Sequence, residues 1–119
     1  MQETKLGSEY ETVTLNVRGV TFDNRQKYLA LVHANQYNGV RVVQDPDNEY
    51  DPNAVRVEVR TADITTRGVG WHLIGFVPKE DAEAVGALIE QGVLIKVKLF
   101  VGTWEKGYFA RVTLTFNAD

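Results

Sequence analysis

At 119 residues the chain has room for one domain and not for two. Its 44% hydrophobic and 24% charged residues are those of an ordinary globular protein, and the absence of cysteine excludes both a disulfide framework and a thiolate metal site. A formal net charge of −3 argues against coating nucleic acid by bulk charge, which needs a basic excess, so any such contact must be a local basic patch on an acidic body.

Residues 1–11 are polar and aperiodic and read as a flexible tail, leaving residues 12–119 as the single domain. Met1 to Lys5 contain no apolar h-region and no apolar run is long enough to span a bilayer. No membrane association is expected, and the cytoplasm is the default location. In Thr12 to Arg18, Val13, Leu15 and Val17 alternate with polar residues, the period of a half-buried strand that Gly19 closes. The run Tyr28 to Val32 reads as a second strand and Val40 to Val43 as a third, with Asn38-Gly39 suited to a tight turn between them.

The stretch from Gln44 to Asn53 is a loop of turn formers. Val55, Val57 and Val59 alternate with Arg56, Glu58 and Arg60 to give a fourth strand, and Leu73 to Val77 a fifth after a glycine-containing loop. Pro78 opens the one clear helix, about residues 79–91. Glu80, Asp81 and Glu83 are in its first turn, Ala82, Val85, Leu88 and Ile89 on its apolar face, and Gly92 past its end. Ile95 to Val101 and Tyr108 to Phe116 are the last two strands, with Trp104 and Gly107 in the hairpin between them. The pattern predicts a mainly β domain, a small barrel or sandwich of about six or seven strands in which the helix could plug a barrel end.

The acidic loop is the first candidate for chemistry. Asp45, Asp47, Glu49, Asp51 and Asn53 alternate as in a calcium loop, but the sixth and twelfth positions of an EF-hand loop need Gly and Glu and are here Tyr50 and Arg56. Asp45 and Asp51 precede Pro46 and Pro52, so the loop equally suits a pair of turns. Nucleophilic catalysis finds no partners: Ser8, the only serine, lies in the tail, and His33 and His72 have no third ligand type nearby for zinc. Gly68-Val69-Gly70 is too short for a phosphate loop and leads into a strand. No catalytic residue and no cofactor is therefore expected. Phe22, Tyr50, Trp104 and Tyr108 or Phe109 lie at strand ends or loops, near Arg56, Arg60, Lys79, Lys96, Lys98 and Arg111. Such a set is either a platform for single-stranded nucleic acid or a solvated face with aromatics capping the core.

Three blocks in order resemble the HIRAN family. They are Val17-Arg18-Gly19-Val20-Thr21-Phe22, the long segment from Val42 to Val57 containing Asp45-Pro46-Asp47-Asn48-Glu49-Tyr50-Asp51-Pro52-Asn53, and Ile74-Gly75-Phe76-Val77-Pro78-Lys79-Glu80 leading into the helix. The likeness runs over about residues 13–116 and implies an OB-like β-barrel. In fork-remodelling helicases the domain is similar to a clamp for the 3′ end of single-stranded DNA, which implies a place in DNA repair. On that resemblance Phe22 and Tyr50 match base-stacking aromatics, and Asp51 the carboxylate that accepts from the terminal 3′-hydroxyl. Asn48 and Asn53 match polar positions of the same loop, Lys79 a cation near phosphate, and Tyr108 a late aromatic whose alignment could slip to Phe109. Thr21 stands where DNA-binding members carry a basic residue and Phe76 where they carry a polar ring, so one or two phosphate contacts are lost. The resemblance implies a non-catalytic module for a single-stranded DNA end. The alternative is a protein-interaction module that docks onto a helicase or nuclease.

Overall fold

Alternating valines build the centre of the fold. In the computed structural model, which describes residues 9–118, Val55, Val57 and Val59 are fully buried on one side of a strand. That strand is β3 (Val55–Ala62), in the order β1 (Tyr10–Asn16), α1 (Arg25–His33), β2 (Val40–Gln44), β3, β4 (Val69–Phe76), α2 (Lys79–Glu90), β5 (Leu94–Trp104) and β6 (Gly107–Asn117). The six strands form two antiparallel three-stranded sheets, β1-β6-β5 and β2-β3-β4. Val112 and Leu114 from the first sheet, Val55, Val57 and Ile74 from the second and Leu29 from α1 share one core.

No closed barrel is found among the described residues: the strands make two three-stranded sheets, and the expected OB-like barrel is not confirmed. Among the described residues, backbone pairing links the two sheets at a seam where Arg18 meets Phe76, just past the point where Val17 continues the β1–β6 ladder. Val17 donates its N–H to the Ala110 carbonyl (2.9 Å), and Arg18 and Phe76 exchange backbone hydrogen bonds of 2.8 and 2.9 Å. The close approach needs Gly75, because a Cβ there would collide with the Arg18 carbonyl and the Val17 side chain. Ile74 is the extra residue of a bulge opposite Val57 and Glu58, which bends the end of β4 toward that seam.

The second predicted strand is a helix. Tyr28 to Val32 is apolar without alternation, a pattern that periodicity cannot separate from a buried helix. Tyr28, Leu29 and Val32 supply the buried face of α1, which packs against strands of both sheets. The helix ends in a Schellman motif at Asn35 (φ 60°): Gln36 donates to the Leu31 carbonyl (2.7 Å) and Asn35 to the Val32 carbonyl (2.9 Å). Among the described residues there are thus two helices, not one, and Asn38-Gly39 is not a hairpin turn. It prolongs the β2–β3 ladder, with Asn38 donating to the Arg60 carbonyl and Arg60 to that of Gly39.

The helix expected over residues 79–91 is α2, and it too ends in a Schellman motif, at Gly92 (φ 68°). Trp104 and Gly107 form the last pair of the β5–β6 ladder, flanking a turn at Glu105-Lys106. Of the residues read as a tail, 1–8 lie outside the described residues, whereas Tyr10 and Glu11 are paired in β1 with Asn117 and Phe116. Among the described residues no helix is long and apolar enough to cross a membrane.

Candidate nucleic-acid interface

Two adjoining hollows of about 530 and 540 Å³ share Arg18, Gly19, Tyr50 and Phe76 and form one groove beside the seam between the sheets. Three segments distant in sequence supply its walls. The stretch after β1 gives Arg18, Gly19 and Phe22, the β2–β3 loop gives Asn48, Tyr50 and Asp51, and the β4–α2 junction gives Phe76, Val77, Lys79 and Glu80.

The β2–β3 loop holds its shape by capping its own backbone. Asn48 Oδ1 accepts from the amides of Tyr50 (2.9 Å) and Asp51 (3.1 Å), and Asn48 Nδ2 donates to Asp45 Oδ2 (3.2 Å). Asp51 Oδ1 accepts from the Asn53 amide (2.9 Å). These are Asx-type turns, in which Asn48 and Asp51 satisfy the loop's own amides. Among the described residues no group of three His, Asp or Glu side chains is arranged to hold a metal ion. With its backbone fixed, the loop presents the Tyr50 ring 86% exposed at the groove, beside Asp51, whose Oδ2 has no hydrogen bond among the described residues.

Opposite Tyr50, Phe22 is 63% exposed. Gly19, at φ 73°, turns the chain there and leaves space for Arg25, whose Nη1 donates to the Gly19 carbonyl (2.6 Å). The Arg25 guanidinium lies 5.6 Å from the Phe22 ring centroid and 5.5 Å from that of Phe76, a cation between two aromatic faces. Burial pulls the Arg25 pKa down, Asp23 opposes that and Arg56 adds to it. From the other side Gln26 pins the same stretch, donating to the Val20 carbonyl (3.0 Å) and the Tyr108 carbonyl (2.9 Å) and accepting from the Tyr108 amide (2.8 Å).

Lys79 is the first residue of α2 and is exposed at the groove rim. Arg18 Nη2 sits 3.4 Å from Glu80 Oε2, with both side chains largely in solvent, so the pair contributes little and can open toward a ligand. Arg18, Arg25 and Lys79 bring three cations to the lining and Asp23, Asp51 and Glu80 three carboxylates. A groove so balanced draws its affinity from aromatic faces and local geometry rather than from net field.

Of the residues singled out in the sequence, Phe22, Asn48, Tyr50, Asp51 and Lys79 converge on this groove. Asn53 does not line it and serves the loop backbone through Asp51. Tyr108 is not in it either: its ring packs on the core and lies 5.3 Å from the His33 ring. Arg25 and Gln26 were missed. Both precede the run read as the second strand, and as the first residues of α1 they reach the Gly19 and Val20 carbonyls. Phe76, noted as a departure from the family, supplies the apolar floor.

A sequence model described as the HIRAN domain matches residues 11–114. No curated protein and no solved structure matches the chain.

Proposed function

Since the chain belongs to the HIRAN family, a family of nucleic-acid binding domains, we propose that its groove holds the 3′ end of single-stranded DNA and catalyses nothing on it. Phe22 and Tyr50 stack on the terminal bases, Asp51 accepts a hydrogen bond from the free 3′-hydroxyl, and Lys79 with Arg18 holds the adjoining phosphate. The observation that carries this reading is the convergence of Phe22, Tyr50, Asp51 and Lys79 on one groove from three separate segments.

The chemistry selects for an end. A carboxylate accepts from a hydroxyl but repels a continuing phosphodiester, so a strand that does not stop at Asp51 is disfavoured. The exposed start of α2 adds backbone N–H groups and a partial positive charge beside Lys79. Thr21 is exposed and contributes no charge, which limits phosphate contacts to the arginines and Lys79.

Fluorescence anisotropy at low salt with labelled oligonucleotides tests the proposal. A free 3′-hydroxyl should bind more tightly than a 3′-phosphate or a blunt duplex, and Asp51→Ala should erase the difference between the first two. No binding to any of the three would sink the proposal and leave the protein-docking reading, which the three carboxylates of the groove favour.

A further inference from the structure

The face of β5 and β6 turned away from the core takes no part in the groove. Val97, Leu99 and Val101 pack inward, so strand alternation places Lys98, Phe100, Gly102 and Trp104 on the outer face, opposite Thr113, Arg111, Phe109 and Gly107. Phe100 and Trp104 are 57% and 50% exposed. The Phe100 and Phe109 rings are tilted with centroids 6.0 Å apart, and the Arg111 guanidinium lies 5.1 Å from the Phe109 centroid.

Gly102 makes the arrangement possible. A Cβ there would collide with the Phe109 ring and press on Phe100, so the missing side chain lets Phe109 lie across β5. The charge on this face is of one sign. Lys96, Lys98 and Arg111 lie on it, the strands place no carboxylate there, and the nearest along the chain is Glu105 in the turn. In a chain of net charge −3 that is a local basic patch interleaved with aromatics. The face also reaches the groove: Asn16 Oδ1 accepts from Arg111 Nε (3.3 Å), and Asn16 is two residues before Arg18 in the groove wall.

We infer that this outer face is a second nucleic-acid contact, an open stacking surface for the single-stranded nucleotides that follow those held in the groove. Its direction rests on the groove's holding a strand end, while its chemistry stands on Phe100, Trp104, Phe109 and the flanking cations. Bases stack on exposed aromatic faces regardless of sequence, and Lys98 and Arg111 are placed to meet the phosphates between them.

The test uses the full chain with thymidine oligonucleotides of about three and about twelve nucleotides, one shorter than the site sizes of about 4 to 16 nucleotides of small nucleic-acid binding domains and one within them. The longer strand should bind more tightly. Phe100→Ala and Trp104→Ala, both at exposed positions that leave the core intact, should weaken it roughly 5- to 100-fold and spare the shorter strand. In a Trp71→Phe background the emission of Trp104 should be quenched by the longer strand. If Phe100→Ala and Trp104→Ala leave the longer strand's affinity unchanged, or Trp104 emission does not respond, the outer face is not a nucleic-acid contact and an acidic protein surface becomes its occupant. If the longer strand depends on Phe100 but not on Tyr50, the outer face stands and the end-binding groove falls.

Discussion

Tyr50 and Glu58 carry the two sharpest expectations at the level of single side chains. The Tyr50 ring is exposed while its amide is fixed by Asn48, so Tyr50→Ala removes a stacking surface and leaves the loop intact. Its cost should be about 1–3 kcal/mol in binding to a short oligonucleotide, with an unchanged melting temperature. Asn48→Ala should weaken the same binding indirectly, because the Tyr50 and Asp51 amides lose their acceptor. Glu58 is different. It is buried on the far side of β3 from the core valines, where Arg41 Nε donates to Oε1 (2.8 Å) and Arg56 Nε to Oε2 (2.7 Å). Burial pushes its pKa up, but the hydrogen bonds from Arg56 and Arg41 outweigh that and leave it below the ordinary glutamate value. A carboxyl whose folded pKa is depressed binds fewer protons folded than unfolded. Its stabilisation is therefore complete above the unfolded pKa, about 4.3 for Glu, and is lost as pH falls through the folded value. Urea unfolding of the native chain and Glu58→Gln from neutral pH to pH 3 should show the gap between them closing below pH 4. A gap of constant size would show that the two arginines do not stabilise the ionised form.

The groove exists because the end of β4 bends to meet the chain after β1, and Gly75 makes that contact possible. Gly75→Ala pushes a methyl group into the Arg18 carbonyl and should cost about 1–3 kcal/mol of stability, in the range of other overpacked sites. It should also weaken DNA binding, since Arg18, Gly19 and Phe76 shift together. Chemical denaturation and anisotropy on the same variant check both, and a stable variant with intact binding would mean that the seam does not shape the groove. These elements differ in how readable they were. The valine alternation of β3, the capping and apolar face of α2 and the inner face of β6 were legible, because each has one buried side with a regular period. So was the β2–β3 loop, whose turn formers Asn48 and Asp51 accept from its own amides. α1 was not, because five consecutive apolar residues satisfy either a strand or a helix, and what decides is burial against two sheets. The Schellman residue Asn35 was the local signal available. The choice between barrel and sandwich was left open by the sequence, since closure depends on which strand edges meet and not on the pattern within any strand.

Charge is a property of the whole molecule, and it sets how binding must respond to salt. A chain of net charge −3 gains nothing at long range from a polyanion, so its contacts with phosphate are few and local. Arg18, Arg25 and Lys79 allow two or three in the groove. Counterion release from single strands then gives a slope of log affinity against log salt of roughly −1.4 to −2.1, at about −0.7 per phosphate contact. A longer strand that also reaches Lys98 and Arg111 would neutralise two more phosphates and steepen the slope by about −1.4. Titrations of short and long oligonucleotides across a salt series read both numbers directly. A shared slope for the two lengths would mean that the outer face adds no phosphate contact. A slope near zero for both would remove phosphate from the interaction and return the groove's cations to their carboxylate neighbours, as Arg18 is already placed beside Glu80.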